Sequence, residues 1–340
     1  MFGRMLFVGL RTSDRNIIKK LIHECHVGGI IIYSRNYKTY EEMISLVNFI
    51  HQEAEDAGYT ILVGIDQEGY RVNRLPKEIH NLKSPYSFHE NTDYLKEHGR
   101  IIASILASTN INMNLAPVLD IKRFDDNHPI GDRSFGTTPN EVIKNTIPYI
   151  NEFTKQGVIP VVKHFPGHGA TSINSHFLLP VILRTKRLLE EDIAPFREAI
   201  QEGCNAVMVG HFIIPRFSLF TPTSFSKKSV QYLRKTLEFD GLIMTDDIDM
   251  GPLKLCSKAR IIQKAINRGI NMIMVKYDDH FFKDYKKLEN TKLNQENIDH
   301  SLQLIDGLIS KYQVTNKVVK NHLNIKKINQ EIDHLNKHAK

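Results

Sequence analysis

A single-domain (β/α)8 TIM-type barrel is the fold class that the sequence predicts, and three observations predict it. Short apolar runs recur eight times along the 340 residues, with segments of helical length between them. The runs lack strict polar alternation, so they read as strands covered on both faces, the condition of a parallel sheet flanked by helices. Their C-terminal ends carry charged or hydrogen-bonding residues, and a barrel gathers such ends on the face where barrel enzymes work. An open doubly wound sheet is the runner-up; no Gly-x-Gly-x-x-Gly follows the first strand to support it.

MLFVGL (5–10) is the first run, and Ile17, Ile18, Leu21 and Ile22 follow it at helical spacing. GGIIIYS (28–34) precedes a helix expected from about Thr39 to Ala57. TILVGID (60–66) precedes a helix over about 93–109, which carries Ile101, Ile102, Ile105 and Leu106 on one face. MNLAPVLD (113–120), VIPVVKHF (158–165), AVMVGH (206–211), GLIMTDD (241–247) and NMIMVK (271–276) complete the set. From the second run onward the strand ends are Ser34-Arg35, Asp66, Asp120, Lys163-His164, His211 and Asp246-Asp247. The insertion IKRFDDNHPIGDRSFGTTP (121–139) carries Asp132, Arg133 and Phe135 among Gly and Pro, so it reads as an ordered loop at the strand ends. Past residue 282 the chain is rich in Lys and Asn, and Ile325, Ile328, Ile332 and Leu335 mark a helix packed on the outside. The expected division is a barrel over 1–310 and a basic C-terminal helical tail over 311–340.

With 41% hydrophobic and 24% charged residues the composition is that of a soluble globular protein. A net charge of +7 and a pI near 9.1 give a mild electrostatic bias toward anions. The charge is spread and no nucleic-acid-binding signature accompanies it, so no nucleic-acid partner is expected. Cys25, Cys204 and Cys256 are far apart and form no CxxC pattern, which suits reduced thiols. The N-terminus lacks a signal-peptide pattern, and no stretch reaches the ~20 apolar residues of a membrane span. A cytoplasmic location is the expectation. Oligomeric state is not legible.

The chemistry centres on KHFPGHG (163–169) and the turn after it, ATSINSH, ending at His176. A β-branched apolar strand delivers Lys163 and His164 to its end, then opens at Pro166-Gly167 into a loop with His168 and His176. The convergent face then holds Asp66, Asp120, Asp246 and Asp247, the bases Arg35, Arg74, Arg133 and Lys163, and several His. One reading is a metal hydrolase, with His164 and His168 spaced as a helical zinc pair, although Pro166-Gly167 between them opposes a helix. The other is metal-free sugar chemistry, since such a ring of donors and acceptors suits a polyhydroxylated ligand. Retaining hydrolysis needs a carboxylate nucleophile, for which Asp246 is best placed, and an acid/base. Glu68 sits in the tight turn DQEGY, which leaves a loop His for the second role.

DQEGYRVNRL (66–75), NLAPVLDI (114–121), IGDRSFG (130–136), KHFPGHG and GLIMTDDIDM (241–250) together resemble family 3 glycoside hydrolases. The nearest likeness is to the single-domain bacterial β-N-acetylglucosaminidases that recycle peptidoglycan fragments. The motifs occur in the family's order, and the resemblance spans about residues 5–280. It implies a barrel, a retaining two-step mechanism, no metal or other cofactor, and a small carbohydrate substrate such as a GlcNAc-containing muropeptide or chitooligosaccharide. It implies Asp246 as the nucleophile, His176 as the acid/base, and Asp66, Arg74, Arg133, Lys163 and His164 as the residues that hold the terminal sugar.

Two positions depart from the family pattern. The family's Asp-x-His reads here as Asn174-Ser175-His176, and Asn carries no charge to stabilise an imidazolium. Tyr70 stands where the family has Gly, so a phenol is expected to narrow the pocket or stack on a sugar ring. The alternatives that these residues keep open are a sugar-binding protein with impaired catalysis and a β-GlcNAc phosphorylase.

Overall fold

The computed structural model describes residues 2–125, 128–168, 180–251, 253, 257–320 and 323–340. Its parallel strands are β1 (Leu6–Gly9), β2 (Gly29–Ile32), β3 (Leu62–Ile65), β4 (Met113–Asn114), β5 (Ile159–Pro160), β6 (Val162–Phe165), β7 (Ala206–Val209), β8 (Leu242–Thr245) and β9 (Ile273–Lys276). One six-stranded sheet runs β5-β4-β3-β2-β1-β9 and one three-stranded sheet runs β6-β7-β8. β5 and β6 are consecutive pieces of one strand, and a parallel bridge from Met244 to Met272 joins β8 to β9. The two sheets therefore close into one barrel with a strand for each apolar run, and the open sheet is set aside.

The lack of polar alternation in the runs has a direct cause. Successive strand residues face two different apolar clusters. Phe7, Ile31, Leu62, Met113, Ile159, Ala206, Leu242, Met244 and Met272 fill the barrel interior. Leu6, Val8, Ile30, Ile32, Val63, Ile65, Val207 and Ile243 pack outward against the helices. Helix α9 (Gln295–Lys311) adds Ile305 and Leu308 to the interior cluster. It caps the end where the strands begin, since Arg4 before β1 pairs with Asp306 and Asn205 before β7 meets Tyr312.

The outer helices start where side chains satisfy their first amides. Asp14 caps α1 (Arg15–His23), Thr39 caps α2 (Tyr40–Asp56), Asn91 caps α3 (Thr92–Ser108), Thr138 caps α4 (Pro139–Lys155) and Thr185 caps α5 (Lys186–Gln201). The short α6 (Lys227–Gln231) and the helices α7 (Lys258–Asn267) and α8 (Phe281–Glu289) complete the ring.

One strand pair is shorter than its sequence suggests. Pro117 has no N–H to donate, and the ladder slips beside it. The Val161 amide is shared between the carbonyls of Asn114 and Ala116, and pairing resumes as a bridge from Val118 to Lys163. The slip divides the fifth strand into β5 and β6.

The last helix, α10 (Ile325–Asn336), lies against α3 and buries Ile328, Ile332 and Leu335. Arg100 of α3 reaches Glu331 at 2.5 Å. Asn329 and Asn336 bond to the backbone of the 78–83 segment, the Asn336 side chain accepting from Lys83 N and donating to Asn81 O. Ile332 is fully buried, so Ile332→Ala is expected to destabilise by about 2–5 kcal/mol. Denaturant unfolding monitored by circular dichroism measures this, with kcat/KM of the folded variant unchanged.

Candidate active site

The C-terminal strand ends enclose a cavity of about 190 Å³. Its polar wall is Tyr33, Asp66, Arg74, Arg133, Lys163, His164, His168, Asp246, Asp247 and Lys276; Leu115, Pro129, Met208, Met250 and Met274 supply the apolar surface. Six sequence-predicted site residues (Asp66, Arg74, Arg133, Lys163, His164 and Asp246) thus meet in one place, although they come from four different segments. Asn174 and His176 lie outside the described residues.

Lys163 is the second residue of the fully buried β6, its side chain is 3% exposed, and its ammonium is matched by two carboxylates. Nζ lies 2.5 Å from Asp66 Oδ1 and 2.5 Å from Glu68 Oε1. Arg133 closes the same group with a two-pronged pair, Nε to Glu68 Oε2 and Nη2 to Glu68 Oε1, both at 2.8 Å. Arg74 Nη2 reaches Asp66 Oδ2 at 3.4 Å. Burial alone would raise the Glu68 carboxyl, but the charges of Arg133 and Lys163 outweigh it and hold the group far below the usual carboxylate range. Glu68 therefore sits behind the cavity as the common partner of two cations that line it. Its position in a turn sequence concealed this.

The insertion is fastened to that network. Arg133 closes a 3-10 turn (Gly131–Arg133), and its Nη1 donates to Pro129 O at 3.0 Å. Arg71 Nη2, from the loop after β3, donates to His128 O and Ile130 O.

His164 and His168 share one carboxylate. Asp120 Oδ2 accepts from His164 Nδ1 at 2.7 Å, and Asp120 Oδ1 accepts the His168 amide at 2.5 Å. With Nδ1–H committed to Asp120, Nε2 is the ring atom that His164 presents to the cavity. Burial, and then the neighbouring His164 charge, push the His168 imidazole down to about 4, so it is neutral at pH 7. Its ring stands edge-on to Phe212. Among the described residues no three His, Cys, Asp or Glu side chains converge as metal ligands.

Asp246 follows β8 and faces the cavity, its Oδ1 accepting the Asp247 amide at 2.7 Å. Burial works to raise its carboxyl, but His164, His211, the Asp247 amide and Lys163 together hold it below the ordinary aspartate value. It is ionised at neutral pH. Asp247 pairs with Lys276 Nζ, yet burial still leaves its carboxyl above the ordinary value.

Two strand-end residues do other work. Arg35 folds back over the Tyr33 ring and donates to Leu10 O, so Tyr33 rather than Arg35 lines the cavity. His211 is buried behind the wall, held by Ser224 Oγ at 2.6 Å and donating from Nε2 to Asp247 O. Tyr70 does not line the cavity either: it is 47% exposed and stands at φ +52°. That left-handed backbone is the physical reason for a Gly preference there, and the expected narrowing of the pocket is not seen. Lys276 was legible as the last residue of an apolar run, but its link to Asp247 was not.

The chain resembles known proteins over most of its length. The model of the glycosyl hydrolase family 3 N-terminal domain matches residues 3–308. A β-hexosaminidase of Tolumonas auensis is 33% identical over 267 residues, 75% of this chain and 77% of that protein. One of Actinobacillus pleuropneumoniae is 29% identical over 311 residues, 88% of this chain and 83% of that protein. The solved structure of a family 3 β-N-acetylglucosaminidase from a Paenibacillus species superposes with a TM-score of 0.88 at 28% identity, covering 99% of this chain and 68% of that one. With the barrel and a cavity built from the matching motifs, these likenesses settle the family: the chain belongs to glycosyl hydrolase family 3 and is a glycoside hydrolase.

Proposed function

We propose that this protein is a retaining exo-β-N-acetylglucosaminidase that removes a terminal GlcNAc through a covalent glycosyl-enzyme on Asp246. One observation carries the reading. An ionised carboxylate at the end of β8 faces a cavity whose other wall is a fixed set of hydroxyl-binding groups, Asp66, Arg74, Arg133, Lys163 and His164. The cavity, at about 190 Å³, is below the roughly 300–1,000 Å³ of ordinary ligand sites and suits one sugar ring. That size supports attack from the end of a chain.

Asp66 accepts from sugar hydroxyls, His164 meets them through Nε2, and Arg74 and Lys163 donate to them. Arg133, held by Glu68, does the same from the insertion. Asp246 attacks the anomeric carbon as the glycosidic oxygen takes a proton from the acid/base, and the aglycone leaves with that proton. Water, deprotonated by the same base, then attacks the anomeric carbon and releases Asp246 as the carboxylate. His176, two residues after Asn174 in the sequence, is the acid/base in this reading. The motif resemblance makes peptidoglycan fragments the natural source of substrate. The buried thiols Cys25 and Cys204 suit a reducing, cytoplasmic setting.

The test compares an aryl β-GlcNAc, whose leaving group needs little protonation, with an unactivated GlcNAc disaccharide. Wild type is expected to cleave both, and Asn174→Asp to speed mainly the disaccharide, by a factor within the roughly 10²–10⁴ of general acid catalysis. Binding of GlcNAc saccharides without turnover of either substrate overturns the hydrolase mechanism in favour of a binder, which the uncharged Asn174 motivates. A rate that depends on inorganic phosphate, with a sugar phosphate as product, assigns a phosphorylase instead.

A further inference from the structure

The stretch after β8 places two acidic side chains next to each other in sequence and on the cavity wall, and of the two only Asp247 has a cation in direct contact among the described residues. Asp247 is 2% exposed and enclosed by a second set of contacts that the proposed mechanism does not use. Asp247 Oδ2 pairs with Lys276 Nζ, and Asp247 Oδ1 accepts the Asp249 amide at 2.9 Å. Asp249 Oδ2 in turn accepts the Lys276 amide at 2.7 Å. Lys258, from the start of α7, fixes the far side: Nζ lies 3.1 Å from Asp249 Oδ1 and 2.6 Å from Asp278 Oδ2, and donates to Lys276 O at 3.0 Å. Two lysines and three aspartates thus hold the 246–249 turn against the end of β9.

We propose that Lys276 is a positioning residue for the nucleophile: it neutralises and aims Asp247, so that the Asp247 amide stays on Asp246 Oδ1 and Asp246 Oδ2 is turned to the sugar. The inference rests on the reading of Asp246 as the nucleophile. Without Lys276, Asp247 is a buried carboxylate beside the reacting one, and like charges disfavour the ionised form of both. Among the described residues no other cation pairs with Asp247. Asp246 faces His164 and Lys163 of β6 and His211 after β7. Asp247 faces Lys276 of β9, Asp249 of its own turn, the His211 ring and the Tyr33 phenol after β2.

The chemical consequence falls on the second step. Water attacks the anomeric carbon, the bond to Asp246 Oδ2 breaks, and its electron pair returns to the carboxylate. A neighbouring uncompensated charge makes Asp246 a poorer leaving group, so glycosyl-enzyme accumulates. For an aryl β-GlcNAc, Lys276→Met is expected to lower kcat and KM together by roughly tenfold and to release aryl alcohol in a burst. The acid limb of its kcat/KM profile moves to higher pH, because Asp246 then ionises later. Lys276→Arg keeps the charge, so its acid limb stays where wild type has it. Lys276→Met with Asp247→Asn removes both charges and brings the acid limb back.

If Lys276→Met folds and its acid limb stays where wild type has it, the proposal fails. If that variant does not fold, the double variant decides. A wild-type acid limb supports the pairing role, and an acid limb moved to higher pH overturns it. Asp246→Asn, measured alongside, separates the two readings, since retained activity there overturns the nucleophile assignment whatever Lys276 does.

Discussion

Asp246→Asn is expected to lower kcat/KM by roughly 10⁴-fold or more, the scale on which loss of a nucleophile acts. The side chain keeps its shape, and an Asn Oδ1 still accepts the Asp247 amide that holds Asp246 now. The variant should therefore fold like wild type, and the loss measures chemistry rather than unfolding. Aryl leaving groups do not rescue it, because they lighten only the acid's task. A shorter variant, Asp246→Ala, opens space for an external anion. With azide it is expected to form a glycosyl azide of inverted, α configuration, since azide enters from the face that the carboxylate occupied. Product analysis by NMR reads the anomer directly, and a β-azide or no azide product at all contradicts the assignment. In wild type, the depressed Asp246 carboxyl places the acid limb of kcat/KM below the ordinary aspartate value of about 3.9 wherever the fold survives.

Glu68→Gln is the second large effect, and it acts on stability and turnover together. Glu68 is 3% exposed and compensates both Lys163 and Arg133. Removing its charge leaves Arg133 without its carboxylate and Lys163 with Asp66 alone, and breaking a buried pair of this kind costs about 3–5 kcal/mol. The sign of the pH dependence follows from its depressed carboxyl. Its stabilisation is full above the unfolded-state value of about 4.3 and fades as pH falls through the folded-state value, so the unfolding free energies of wild type and variant converge on acidification. Activity falls because Lys163 and Arg133 no longer share a fixed partner, so KM for GlcNAc substrates is expected to rise by at least roughly tenfold. Urea unfolding at several pH values and Michaelis kinetics at neutral pH check the two halves separately. Equal stability of wild type and variant at pH 7 contradicts the buried-pair account.

The two residues also mark how far the sequence could be read. Asp246, Asp66, Lys163 and His164 end apolar runs, and strands covered on both faces have few other polar residues to confuse with them. The barrel was legible for the same reason, since its inner and outer clusters demand uninterrupted apolar runs. Glu68 was not legible, because DQEGY has the composition of a turn and its partner Arg133 lies 65 residues away. Only the closed barrel brings the insertion back over that turn. Arg35 misled in the opposite sense: it ends a strand like the others, but the carbonyl of Leu10 lies within its reach and takes it away from the cavity. The division of the fifth strand was written in Pro117, on the neighbouring strand, where a single-strand pattern does not look.

The placement of α10 bears on the order in which the protein is made. β1 and the loop after β3 leave the ribosome early, but their partners come late. β1 pairs with β9 across the closure, and His80 waits for Asn329, 249 residues further on. Domains form as units during synthesis, and non-local pairings come last. The segment after Asp66, Glu68 and Arg74 thus gains its outer brace only when α10 has emerged. Sugar-binding competence in a growing chain is expected to appear only after α10 has emerged, so a partly made enzyme has no early window in which to act.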